Sequence, residues 1–188
     1  IEGLESAGIS AVIKHIPGHG RAEVDSHESL PKIDKGETDL LSRDFRPFVQ
    51  LNNAVAAMTG HLLFPRIDPI YPVTFSKKIV KDVIRNLIGF KGVLISDDLS
   101  MNALTGAIDY RLNKALEAGC DIALHCNGDL EEMELIAKAC PSMSNPVRER
   151  IEILLKNITR VSKNRKIFDT ELLKVALNKG LKEYSSLN

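Results

Sequence analysis

Gly92-Val93-Leu94-Ile95-Ser96-Asp97-Asp98-Leu99-Ser100 is a short apolar run that ends in two adjacent carboxylates. A run of this length without polar alternation reads as a strand buried on both faces, as in a parallel sheet. Three other runs read the same way: Ile9–Lys14, Ala54–Thr59 and Asp121–His125. Each closes on a polar cluster, Lys14-His15, Thr59-Gly60-His61 and His125-Cys126-Asn127, matching Ser96-Asp97-Asp98. The tips of parallel strands open on one side, where ligands bind, so four segments distant in sequence converge on one pocket.

Amphipathic helical patterns separate the strands. Thr38–Asn52 carries Leu40, Leu41, Phe45, Phe48 and Val49 on one face. Ser76–Leu87 repeats Ile79, Val80, Val83, Ile84 and Leu87 at helical spacing, with Ser76 as its N-cap. Asp109–Ala118 is closed by Gly119. Leu130–Ala139 follows the fourth strand, then a long helix from Val147 to Ser162 with Pro146 in its first turn. Asp169 or Thr170 caps a last helix to Lys179. Strand and helix alternate four times, which predicts an α/β fold with right-handed crossovers. A TIM (β/α)8 barrel takes about 250 residues, so four units are half of one. The expected organisation is one partial domain, with four βα units over about residues 1–140 and C-terminal helices packing on it over about residues 146–188. Half a barrel leaves two sheet edges unpaired. The missing half is expected in the same or another chain.

Composition narrows the function. The 188 residues are 44% hydrophobic and 27% charged, which excludes collagen-like and disordered chains. Twenty-five basic residues balance 25 acidic ones, which argues against nucleic acid or an anionic membrane as partner. No apolar run approaches the ~20 residues of a membrane helix. The stretch IEGLESAGIS reads as neither signal nor transit peptide. Cys120, Cys126 and Cys140 fit no zinc template and read as buried or half-buried free thiols in a reducing, cytoplasmic compartment. Tryptophan is absent, so stacking platforms for single-stranded nucleic acid are not expected.

Two segments carry chemistry. In Lys14-His15-Ile16-Pro17-Gly18-His19-Gly20, the proline and glycines start a loop that holds Asp25-Ser26-His27. A carboxylate beside an imidazole fixes its tautomer and raises its pKa, which makes His27 a candidate general acid/base; the pair also reads as a solvated loop pair. Asp97 and Asp98 repel each other, so one faces the cavity while the other caps the next turn. Asp97, directly after the strand, is the candidate for the cavity, and an N-capping pair is the plainer reading. His15, His19, His27 and His61 with Asp25 and Asp97 leave a metal-dependent hydrolase as an alternative. The helical spacing of His15 and His19 is broken by Pro17 and Gly18, and no metal or cofactor is expected. His125 and Cys126 read as finishing a strand, Tyr110 and Arg111 as beginning a helix, and Lys156–Lys166 as a solvated helix face.

Lys14–Gly20 followed by Asp25-Ser26-His27 resembles the signature of bacterial β-N-acetylglucosaminidases of glycoside hydrolase family 3. Lys81–Gly89 with Gly92–Ser100 resembles that family's nucleophile pattern, and Ala118–Leu124 with Asn127 is similar to its last barrel strand. The resemblance spans residues 1 to about 165 and implies the C-terminal half of the catalytic barrel. It implies a retaining glycosidase that releases β-linked N-acetylglucosamine from muropeptides or anhydromuropeptides in peptidoglycan recycling. Asp97 is then the nucleophile, and His27 oriented by Asp25 the acid/base. Lys14 and His15 bond sugar hydroxyls, Met58 and His61 line the pocket, and His19, Asp98 and Asn127 support it from behind. In the family, the other barrel half supplies an acidic residue and arginines to the same sugar. The chain alone is therefore expected to be an incomplete enzyme, and a non-catalytic barrel fragment is the rival reading. A glutamate acid/base is usual in the family's β-glucosidases, and Asp25-Ser26-His27 favours the N-acetylglucosaminidase branch. Phosphorolysis stays open beside hydrolysis.

Overall fold

In the computed structural model residues 1–163 are described, and they fall in two compact units. One is Val12–Leu155; the other joins Ile1–Ala11 to the chain from Lys156 onward. The first holds a four-stranded parallel sheet of β1 (Val12–Ile16), β2 (Ala56–Thr59), β3 (Val93–Asp98) and β4 (Ile122–Leu124), in that order across the sheet. Its register aligns Ile13 with Ala57, Ala57 with Leu94, and Ile95 with Ile122. The ladder is irregular between Lys14 and Ile16 and between Ile95 and Asp98, where the strands approach their polar tips.

The sheet is covered as the helical patterns require. Ile13, Ala57 and Leu94 share one buried cluster with Ile79, Val83 and Ile84 of the helix Ile79–Leu87, and with Leu112 and Ala115 of α4 (Ile108–Ala118). The Ile79–Leu87 helix is π-wound, the Ile88 amide reaching the Val83 carbonyl. The Ser76 hydroxyl accepts from the Ile79 amide at 3.0 Å, the expected cap. Gly119 ends α4 at φ +114°, a conformation open to glycine. The helix α5 (Leu130–Ala139) has its expected bounds, and Asp129 accepts from the Glu131 and Glu132 amides at its start. The last described helix, α6 (Asn145–Lys163), carries Pro146 in its first turn. The helix expected from Asp169 or Thr170 to Lys179 lies outside the described residues.

Strand limits change, and one helix divides. The first strand starts at Val12 rather than Ile9: pairing with β2 begins there, and Ile9 is exposed after the short helix α1 (Glu2–Ser6). His15 thus lies within the strand, not beyond it. β2 starts at Ala56 rather than Ala54, and β4 is Ile122–Leu124 rather than Asp121–His125. The single helix Thr38–Asn52 is two, α2 (Glu37–Ser42) and α3 (Arg46–Gln50). Pro47 lies in the first turn of α3, where its missing N–H costs nothing; inside a continuous helix its ring would strike the Arg43 carbonyl. Leu40, Phe45 and Phe48 are buried as read, whereas Leu41 and Val49 are exposed. In the unit of Ile1–Ala11 and the chain from Lys156, the Ser10 hydroxyl donates to Asn157 Oδ1, and Arg160 faces Glu5 at 3.5 Å. No helix among the described residues is long and apolar enough to cross a membrane.

Candidate active site

Asp97 stands at the tip of β3 with 14% of its side chain exposed. Its Oδ1 accepts from the Asp98 amide at 2.9 Å, and its Oδ2 lies 3.6 Å from His15 Nε2. Burial holds the His15 imidazole below its ordinary pKa, although the Asp97 carboxylate pulls the other way. The His19 ring sits 5.4 Å from that of His15, tilted by 52°. Lys14, His15, Gly18 and His19 line an open recess of about 600 Å³ together with Arg43, Asp44 and Phe48; Asp97 does not line it. Met58 is half-buried, in register between Lys14 and Ile95.

Asp98 turns away from Asp97 and ties the tips of β3 and β4. Its Oδ1 accepts from the Ser100 and Cys126 amides at 3.0 Å, and its Oδ2 from the Ser100 hydroxyl at 2.6 Å. Burial pushes its carboxyl up, but the Ser100 and Cys126 donors prevail and hold it below the usual range. The two neighbouring aspartates thus differ in setting: Asp97 faces His15, and Asp98 caps a turn. Asn127 lies beyond, donating to Glu132 Oε2 and accepting from the Asp129 amide, both at 2.8 Å. His125 Nε2 meets the same Glu132 oxygen at 2.8 Å.

His27 and Asp25 form a dyad on the loop after β1. The ring Nδ1 lies 2.8 Å from Asp25 Oδ1, and the His27 amide donates to the same oxygen at 2.9 Å. The Asp25 hydrogen bond raises the imidazole's pKa, and the His27 amide and ring lower that of Asp25. Both side chains are open to solvent, at 75% and 62% exposure. The negative charges of Asp97 and Asp98 also act on His27. The root of this loop is clamped: Arg21 donates to both oxygens of Asp39 and lies 3.0 Å from Asp44 Oδ2.

His61 was expected to line the pocket, and it does not: its side chain is completely buried and both ring nitrogens have partners within the protein. Cys126 and Cys140 are exposed rather than buried; Cys120 is buried, and burial pushes its thiol up to about 12. Among the described residues no three His, Cys, Asp or Glu side chains are grouped to hold a metal ion.

Sequence reasoning missed four partners. Arg21 lies in a polar loop with no pattern to mark it. Thr59 and Thr74 are polar residues inside buried runs, a signal that was available. Arg111, read only as a helix start, staples the loop after β3 by donating to the Leu99, Met101 and Gly106 carbonyls.

A parallel sheet with covering helices, and polar side chains gathered at the strand tips, is the layout of part of a TIM-like barrel. The chain belongs to glycosyl hydrolase family 3: residues 1–161 match the family's N-terminal domain, a TIM-barrel-like α/β fold of which this chain is a part. It is 39% identical over 159 residues to a beta-hexosaminidase of Aromatoleum aromaticum, covering 82% of this chain and 44% of that protein. A family 3 beta-N-acetylglucosaminidase from Paenibacillus sp. str. FPU-7 superposes with a TM-score of 0.70 at 30% identity, over 88% of this chain and 33% of that one. NagZ from Neisseria gonorrhoeae, solved with N-trifluoroacetyl-D-glucosamine, gives 0.65 at 30% identity, over 85% of this chain and 51% of that one. The chain therefore spans about half, or less, of the length of the relatives it matches.

Proposed function

We propose that the protein carrying this chain is a retaining β-N-acetylglucosaminidase, with Asp97 as nucleophile and His27, held by Asp25, as acid/base. The observation that carries this reading is the setting of Asp97. One carboxylate oxygen is fixed by the Asp98 amide, and the other lies 3.6 Å from His15 Nε2 with 14% of the side chain exposed. In the first step that free oxygen bonds to the anomeric carbon, and the glycosidic bond breaks as His27 gives its proton to the leaving oxygen. In the second, water attacks the same carbon, His27 takes the water's proton, and the Asp97 ester bond breaks. An imidazole raised by a neighbouring carboxylate is suited to donate a proton near neutrality. The dyad's exposure fits a loop that closes over bound sugar.

Lys14 and His15 hold sugar hydroxyls in this reading, Met58 packs against the ring, and His19, Asp98 and Asn127 steady the surrounding loops. The N. gonorrhoeae relative's N-acylated glucosamine ligand supports N-acetylglucosamine as the sugar. Muropeptide or anhydromuropeptide substrates and a place in peptidoglycan recycling rest on the family resemblance. The three free thiols support a cytoplasmic setting. Arginines and an acidic residue from another barrel half complete the sugar site. The metal-dependent alternative has no ligand set among the described residues.

The experiment is to give the full-length protein a fluorinated N-acetylglucosamine analogue that stalls after the first step and to map the adduct by mass spectrometry. The expected result is one sugar on Asp97, with turnover of an aryl β-N-acetylglucosaminide abolished by Asp97→Ala. An adduct on another residue, or turnover that survives Asp97→Ala, rejects the assignment.

A further inference from the structure

The β2–β3 ladder pairs Ala56 with Val93, Ala57 with Leu94 and Met58 with Ile95, and stops there. Asp97 lies two residues past the last pair on this side; on the other side β4 pairs with Ile95 and Asp98, and the register slips between them, across Asp97. A separate set of bonds holds the tip on the β2 side. Thr59, His61 and Thr74 are all fully buried, and together they grip this tip.

The direction of each hydrogen bond follows from chemistry. His61 Nε2 is 2.9 Å from the Asp98 carbonyl oxygen, which only accepts, so Nε2 carries the proton. His61 Nδ1, 2.8 Å from Thr74 Oγ1, is then the acceptor in a neutral ring. Thr74 gives its hydroxyl proton to that nitrogen and accepts from Thr59 Oγ1 at 2.9 Å. Thr59 in turn accepts from the Asp97 amide at 3.3 Å. Every donor and acceptor in the series is used once. A protonated His61 would put a second donor on Thr74 and leave one of the two buried threonine hydroxyl protons without an acceptor. Burial likewise holds this imidazole below its ordinary pKa.

We propose that His61 is a positioning residue that sets the nucleophile through a buried relay, His61–Thr74–Thr59, running from the Asp98 carbonyl to the Asp97 amide. The proposal rests on the reading of Asp97 as nucleophile. On the β2 side the relay does at the tip what the β2 backbone does from Val93 to Ile95. The Asp97 amide is bound by Thr59, the Asp98 amide by Asp97's own Oδ1, and the Asp98 carbonyl by His61. Three backbone groups of Asp97 and Asp98 are pinned, and with them the torsion that aims Oδ2 at His15. His61 touches no substrate. It acts only through the two threonines and the backbone.

The test compares Thr74→Val, which keeps the shape and removes the hydroxyl, with Thr74→Ser, which keeps the hydroxyl. Both are made in the full-length protein. Thr74→Val is expected to lower kcat by about 10- to 100-fold, the scale of a misplaced reacting group, with KM unchanged. The rate of covalent trapping on Asp97 falls in parallel, and Thr74→Ser restores both. A folded Thr74→Val with normal kcat overturns the relay, as does an equal loss in Thr74→Val and Thr74→Ser. An independent readout needs no variant: 15N chemical shifts of His61 are expected to show a neutral ring protonated at Nε2, and a proton on Nδ1 overturns the proposal. Turnover that survives Asp97→Ala defeats the nucleophile reading and with it the relay's purpose. Turnover lost in Asp97→Ala but intact in Thr74→Val overturns the relay alone.

Discussion

Asp121→Ala tests what holds the base of the sheet. The Asp121 side chain is 1% exposed and sits just ahead of β4. Its Oδ2 accepts from Arg85 Nη2, Arg150 Nε and the Leu94 amide, each at 2.9 Å, and Oδ1 takes Arg150 Nη2. One carboxylate thus joins the π-wound helix, β3 and α6. Burial pushes the Arg85 guanidinium down from its ordinary pKa, with Asp121 opposing it. Removing one partner of a buried ion pair costs about 3–5 kcal/mol, because the other charge is stranded. Here Arg85 keeps the Phe90 and Gly92 carbonyls, and Arg150 is 28% exposed and able to reach water. Those remaining partners place the loss at the lower end, about 3 kcal/mol. Urea unfolding of the purified chain at pH 7, followed by circular dichroism, reads the loss as a lower midpoint at unchanged slope. Asp121→Ala with Arg85→Met removes the stranded charge and is expected to recover part of it, which a double-mutant cycle resolves. A loss within the ~0.5 kcal/mol of an ordinary surface change refutes the reasoning.

Asp25→Asn is expected to lower the His27 titration midpoint in NMR, since the Asp25 bond is the first cause of its raised pKa. The raised value keeps the imidazolium charged further into neutral pH, so Asp25→Asn also moves the basic limb of kcat/KM to lower pH; an unmoved midpoint contradicts the dyad. His27→Ala should cost far more turnover on poor leaving groups than on a nitrophenolate, and equal losses count against a proton donor. Gly92→Ala places a Cβ 2.5 Å from the Ala54 oxygen and 2.6 Å from the Val55 oxygen, both backbone atoms. About 1–3 kcal/mol of overpacking should appear as a lower Tm, and an unchanged melt rejects that contact.

The fold was legible because apolar runs and helical spacing leave a coarse trace, although burial on both faces holds for neither β1, which alternates, nor β4, which is half-buried throughout. The four runs and the Ile79–Leu87 periodicity depend only on which side chains avoid water. Strand limits were less legible. Ile9 is as apolar as Ile13, and nothing local says that pairing starts at Val12. Asp97 and Asp98 both lie within β3, so it is their partners, not position after the strand, that tell them apart. His61 could not be placed, because a histidine at a strand tip reads the same whether it faces a ligand or two threonines. Thr74 lies 15 residues from Thr59 and Arg21 lies 18 from Asp39, and such pairings appear only once the chain has folded.

The sheet loses its regular register just before its reactive ends, in both β1 and β3. Side chains past that point are freed from the strict up-and-down order of a pleat. A substitution at these tips therefore changes the side chain presented there without shifting the alignment of the strands beneath.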